Sequence, residues 1–320
     1  MDKDFQRYYN EKLLPELTVL EEERKLILKK LNKLALILWL ILAIGTAIFF
    51  IIDKWFIAIF LGLILGGIYL FMRHKYSKGY HYGFKTKVIS VIVKFIDPNL
   101  TFDHTGKIAE SEFAATKIFK SRRDRYKGED LVYGKLGKTD IRFSEVHAEY
   151  KTQSTNSKGQ TTTTWHTIFK GILFIADFNK SFQSEVFVLP DTAEKLFGKW
   201  GQKLQSLNKS HGNLVKLEDP EFEKAFAIYG NDQVEARYLL STSLMERILN
   251  FKKKTKNDVY LSFVDSRLHV GITLYKDLFE ARLRKTLLDF DYIKTNLDYF
   301  LLFTGIVDDL NLNRRIWGKE

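Results

Sequence analysis

Residues 34–52 read LALILWLILAIGTAIFFII, nineteen positions without a charged side chain. After only Asp53 and Lys54, a second uncharged run, WFIAIFLGLILGGIYLFM, covers 55–72. At ~1.5 Å per helical residue the first run spans ~28 Å, close to the ~30 Å of a bilayer's hydrocarbon core. The spacing predicts two transmembrane helices joined as a hairpin, with Trp55 and Tyr69 placed as interfacial rings. A cleaved signal peptide has a shorter apolar core and lies nearer the N-terminus. Two buried helices of a soluble protein are the competing reading, and they seldom run so long without a charge.

Charge around the runs gives the orientation. Arg24, Lys25, Lys29, Lys30 and Lys33 precede the first with no acid among them; Arg73, Lys75, Lys78, Lys85, Lys87 and Lys94 follow the second, again without one. These eleven equal the net charge of the chain, +11. By the positive-inside rule both flanks, both termini and the bulk of the chain are expected in the cytosol, with only the Asp53-Lys54 turn on the far side. Residues 95–320 hold 35 Lys and Arg against 31 Asp and Glu, so the basic pI of 9.4 reflects the membrane flanks and not a nucleic-acid surface. Each flanking cation near anionic lipid is worth about 1 kcal/mol. There is no cysteine, which excludes disulfides, thiol nucleophiles and Cys-ligated metals.

Outward from the hairpin, residues 1–33 read as an amphipathic helix from about Pro15, with Leu17, Leu20, Arg24, Ile27, Leu31 and Leu34 on one stripe that Arg24 interrupts. Lying on the bilayer or packing back on the rest of the chain is weighed against a short coiled coil or partner-docking helix. Within the spans, Ala43 and Ala47 on one helix and Gly62 and Gly66 on the other form small-residue pairs at four-residue spacing. Close packing inside the hairpin is the simpler use, and association between copies the second.

Beyond a basic juxtamembrane linker (73–107), a short helix is expected at 111–120, and then strand signals dominate. The stretches 130–136, 139–151, 161–178 and 184–190 are rich in β-branched and aromatic residues and separated by turn signals. The polar segment TQSTNSKGQTTTT, 152–164, reads as a mobile hairpin tip. Asp191 with Glu194 begins a helix whose Leu196, Trp200, Leu204 and Leu207 share a face. The predicted fold class is therefore α+β: the transmembrane hairpin (34–72), a β-meander with closing helix (108–212) as in a pleckstrin-homology-like barrel, and a C-terminal α+β unit (213–320). In that unit Pro220 opens a helix leading into a strand, and Ser241 caps a helix holding Leu244, Ile248 and Phe251. A hairpin turns at Asp265-Ser266-Arg267, and a last helix covers about 287–307.

Complete catalytic motifs are missing. GKLGKT, 134–139, resembles the end of a phosphate-binding loop, yet Val132 stands where that loop needs glycine, and a tight turn between strands is the simpler reading. His147 and His166 flank the polar segment on neighbouring predicted strands, with Glu145 and Glu149 near in sequence. They are the sole candidates for a metal or acid–base site, against the plainer reading of half-buried structural histidines. No cofactor is implied.

Five stretches together carry a family resemblance: RYKGEDLVYGKLGKTDIRFSEVHAEYK, HTIFKGILFIADFNKSF, FVLPDTAEKLFGKWGQKLQSLN, LVKLEDPEFEKAFAIYGNDQVEARYLLSTSLMERI and GIVDDLNLNRRIW. They resemble the bacterial membrane-protein family DUF3137, over nearly the whole chain. Thr242 departs from the family pattern, which has proline at that helix start. The resemblance implies no activity or site residues; it implies the bacterial inner membrane and, by analogy, a LemA-type membrane protein as partner. The expected function is a membrane-anchored, non-enzymatic cytosolic module that binds a protein partner or a lipid headgroup. The alternative is a membrane-bound enzyme whose site, around His147, His166 and Glu145, assembles only in the fold.

Overall fold

A computed structural model describes residues 2–178, 182–190 and 211–313. The helix expected from Asp191 lies outside them. The chain divides into two compact units, one formed by 1–92 with 279–297 and the other by 93–278 with 298–320.

The first unit is helical. Helix α1 (Asp2–Tyr8) passes through a π-helical turn, Tyr9–Leu13, into α2 (Leu14–Ile51), with Pro15, which has no N–H to donate, just after the π-turn. A Schellman motif ends α2. Lys54 N–H donates to Phe49 O at 2.8 Å and Asp53 N–H to Phe50 O at 3.2 Å, with Asp53 in the left-handed region at φ 54°. Helix α3 (Phe56–Phe84) returns antiparallel to α2 and is prolonged by a π-turn, Lys85–Ile89, and by α4 (Ser90–Ile96). Most of the segment read as a basic linker, 73–96, is therefore helical: Tyr80, Phe84, Val88 and Ile92 recur every fourth residue, and all four are buried. Leu17, Leu20, Arg24, Ile27 and Leu31 of the predicted stripe are buried too, so the N-terminal helix packs within this unit. From far along the chain, 279–297 joins them. Phe290 meets Phe5 and Tyr9 at centroid distances of 5.9 and 5.0 Å, and Tyr80 Oη donates to Arg282 O at 2.8 Å.

The second unit is built on one antiparallel sheet of nine strands: β1 (Thr101–Asp103), β2 (Arg125–Leu136), β3 (Thr139–Thr155), β4 (Thr161–Asp177), β5 (Val186–Pro190), β6 (Asn213–Leu214), β7 (Phe226–Gly230), β8 (Val259–Val264) and β9 (Arg267–Thr273). The order is β1-β2-β3-β4-β9-β8-β5-β7-β6. The hairpin β8-β9 inserts between β4 and β5, so strands assigned by sequence to two separate units share one sheet, and the fold is α+β as predicted. A single cross-strand row, Phe102, Val132, Phe143, Phe174, Val270, Leu261, Val188 and Ile228, crosses eight strands. Both faces are covered. Phe143 meets Phe300 and Phe303 on one side, while the other carries Phe113, Phe119, Phe169, Phe187 and Tyr260. This explains why 171–176 of β4, and β5, β8 and β9, are buried without alternation.

Helices pad the sheet: α5 (Glu110–Ala115), α6 (Pro220–Ala225), α7 (Gln233–Leu239), α8 (Thr242–Thr255), α9 (Phe290–Thr304) and α10 (Ile306–Asp309). Ser241 stands at the N-cap of α8 without a side-chain cap bond, whereas Asp219 and Asp232 cap α6 and α7 by accepting two backbone N–H bonds each. Helix α5 stops short of the predicted 120. The 152–164 segment is the largest departure from the expected loops. It forms regular hairpin from Thr152↔Thr164 to Thr155↔Thr161, with a tip of five residues in which Asn156 Oδ1 accepts from the Lys158 and Gln160 amides. Threonine's β-branched side chain suits an extended backbone even where nothing apolar is buried.

Candidate functional site

The expected chemical pair does not converge. His147 Nε2 lies 3.3 Å from Thr167 Oγ1 and 3.6 Å from Glu149 Oε1, and burial holds its imidazole pKa below the usual value. His166 belongs to a different cross-strand group: its Nε2 is 2.9 Å from Thr152 Oγ1, and its ring stacks on Tyr150 at 4.8 Å. Positions 166 and 167 alternate across the strand, so the groups holding the two histidines are separated by the pleat. Glu145 is engaged elsewhere, its Oε1 accepting the Leu278 amide at 2.8 Å, and Arg125 bonds Glu149 at 2.6 Å. GKLGKT is a two-residue turn, with Gly137 at φ 59° and Lys138 N–H donating to Asn313 Oδ1 at 2.9 Å.

The helix-packing residues are also redistributed. Ala43 and Ala47 are exposed and Gly66 has nothing within 4 Å of where a Cβ would stand. Of the four named residues, Gly62 alone faces the partner helix, at Leu42. The tight contact is at Gly45, where a Cβ would lie 2.5 Å from Leu61 Cδ2. The stripe Leu38, Leu42, Gly45, Phe49 turns inward because it continues the i, i+3/i+4 row of Leu31, Leu34 and Ala35, a row that Ala43 and Ala47 lie off.

The eleven flanking cations separate into two sets. Arg24 is buried against Glu21; Lys85 is buried with its Nζ 2.8 Å from Glu280; Lys87 lies 3.2 Å from Glu16; Lys94 donates to Pro98 O; and Lys25 pairs with Glu22. Burial alone would raise the Glu280 pKa, yet hydrogen bonds from His81 and Lys85 outweigh it and hold it down at about 2. Lys29, Lys30, Lys33, Arg73, Lys75 and Lys78 stand nearer the apolar runs, and none has an ion-pair partner among the described residues. Lys30 Nζ, 5.8 Å from the Tyr76 ring centroid, places the two groups at one level of the antiparallel hairpin. Beyond them both helices are long and apolar enough to cross a membrane, and their outer faces expose Trp39, Phe50, Ile51, Phe60 and Leu63.

In the sheet unit a cleft of about 630 Å³ gathers Lys224, Lys252, Lys253 and Lys256 with Glu221 and Asp258. The sequence signal for it is KKKTK at 252–256, which reads locally as an ordinary basic helix end.

Residues 167–312 match the model of a family described as "Protein of unknown function (DUF3137)". Over this stretch the chain is similar to the DUF3137 family. The match covers less than half of the chain, where the resemblance implied nearly all of it. It starts inside β4 and ends just past α10, so the lysine cleft falls within the matched stretch and the apolar hairpin outside it. No curated protein and no solved structure matches the chain.

Proposed function

We propose that this protein is a membrane-anchored, non-enzymatic module of a bacterial inner membrane. Its sheet unit lies in the cytosol and binds a partner there, a LemA-type membrane protein being the one that the family resemblance implies. The observation that carries the anchoring is the six-cation ring, Lys29, Lys30, Lys33, Arg73, Lys75 and Lys78, directly beneath two helices whose outer apolar faces are exposed. Exposed Phe and Ile surface along two adjoining helices calls for a cover, and hydrocarbon supplies it without needing polar partners. Unpaired cations at the same level then meet anionic headgroups, while those farther along the helices hold the first unit together. The dispersal of His147, His166 and Glu145 into separate contacts favours a binding module over an enzyme. The test is two-part. The chain should stay in the pellet when membranes are washed with alkaline carbonate, and crosslinking in intact membranes should recover a reproducible protein neighbour. Release by carbonate would refute the anchor; recovery of lipid adducts alone would refute the protein partner.

A further inference from the structure

The cleft between α6 and the end of α8 carries more than its surface position explains. Lysines at the last turn of a helix are ordinarily accounted for by the helix dipole and the free carbonyls there. Lys252 fits that account in part: its Nζ donates to Ala225 O at 2.9 Å and lies 4.6 Å from the Phe226 ring centroid, which fixes the ammonium at the mouth of the cleft. An ammonium has three donors, so two remain for a ligand. Lys253 is paired with Glu221 at 2.8 Å. Lys224 and Lys256 have no ion-pair partner among the described residues. Four cations stand against two carboxylates on this lining, leaving two positive charges over.

Lys256, at the C-cap of α8, suits the dipole by its charge but not by its backbone conformation. It ends α8 in the left-handed conformation, φ 57°, a position where glycine is the unstrained and usual choice. The chain keeps a lysine in that strained conformation, and what lysine adds over glycine is a cation at the helix end, on the lining of the cleft. At the rim Tyr275 is 78% exposed, with a phenol that can donate a further hydrogen bond. Two surplus charges, several ammonium donors from two helices and a hydroxyl match a small dianion.

We infer that this cleft binds a phosphomonoester, presented either as a free phosphorylated solute or as a lipid headgroup. Binding here does not depend on the membrane anchor, so it can fail or succeed independently of that reading.

The test uses the full chain in mild detergent, titrated calorimetrically with inorganic phosphate and, separately, with dioctanoyl phosphatidic acid; dioctanoyl phosphatidylcholine, a phosphodiester, is the control. At least one of the first two should bind, and which one does names the source. The double change K224Q/K256Q should weaken that binding about tenfold or more, the loss of charge-assisted hydrogen bonds. Lys256→Gly separates ligand from cap: it should raise Tm without ligand, by relieving the strain, and still weaken binding. The inference is overturned if neither inorganic phosphate nor phosphatidic acid binds, if phosphatidylcholine binds as well, or if K224Q/K256Q leaves the affinity unchanged.

Discussion

Arg24 and Glu21 form a buried pair one helical turn apart, Nε to Oε2 at 2.9 Å and Nη2 to Oε1 at 2.6 Å, in the middle of an otherwise apolar stripe. The pair reaches across 259 positions of sequence, Arg24 Nη1 donating to Leu283 O at 3.0 Å while Glu21 Oε2 accepts the Leu287 amide at 3.0 Å. The hydrogen bond from Arg24 holds the Glu21 carboxyl pKa below its usual range. Arg24→Leu should therefore strand a buried carboxylate and cost about 3 kcal/mol or more. Removing both charges together, E21L/R24L, should cost less than the single change. Denaturant midpoints of the full chain and the two variants check this, and equal losses would contradict it.

Orientation is testable because the chain has no native cysteine. A cysteine at Asp53 should react with an impermeant thiol reagent from outside intact cells, and one at Lys158, on the tip of the β3–β4 hairpin, only after permeabilisation. Replacing all six ring cations by Gln should mix the two labelling patterns, since each contributes on the order of 1 kcal/mol to the preference. Replacing Lys85 and Lys87 should instead lower stability and leave the labelling one-sided, because their partners are Glu280 and Glu16.

His269 sets an acid limit on the sheet unit. It is buried on β9 with Nδ1 3.2 Å from Ser262 Oγ, whose hydroxyl donates to Thr116 O at 2.7 Å, and burial pushes its pKa down to about 4. The unfolded chain takes up a proton near pH 6.5 that the folded one refuses. The stabilisation is thus present above pH ~6.5 and is lost as pH falls towards 4, by up to about 3 kcal/mol. His211, buried and lowered in the same direction, adds to the slope. His269→Gln should flatten part of the decline in unfolding free energy between pH 7 and 5; an unchanged slope would show the proton going elsewhere.

Gly171 lies where β4 meets β9, at φ 156°, and a Cβ there would stand 2.0 Å from the Ile272 carbonyl oxygen. Gly171→Ala should part the two halves of the sheet and cost more than about 3 kcal/mol, among the largest single-residue losses in the chain. Gly159→Ala, at a hairpin tip with open space around it, should cost about 1 kcal/mol from its φ of 78° alone. A thermal melt of both variants ranks them, and the reverse order would refute the steric argument.

Much of the architecture is carried by local pattern. Uncharged runs of eighteen and nineteen residues specify two long apolar helices whatever surrounds them, because helix length times rise is a property of the segment itself. Hairpins β2–β3 and β8–β9 are equally local: Gly137, and Asp265 with Ser266 at φ 52° and 57°, supply the left-handed conformations that two-residue turns need. The outer arm of β3, Thr152–Thr155, is less legible, because its polarity suits a loop as well as its β-branching suits a strand.

Residue order alone was enough for the apolar hairpin, the placement of charge beside it, most strands and the absence of any complete catalytic motif. It took the folded chain to bring β8-β9 between β4 and β5, to join 279–297 to the N-terminal helices, to send His147 and His166 into separate contacts, and to set Lys224 beside Lys252, Lys253 and Lys256. Periodicity reports which face of an element is apolar and not which distant element covers it. That choice rests on packing and hydrogen-bond complementarity between residues hundreds of positions apart, as between Arg24 and Leu283.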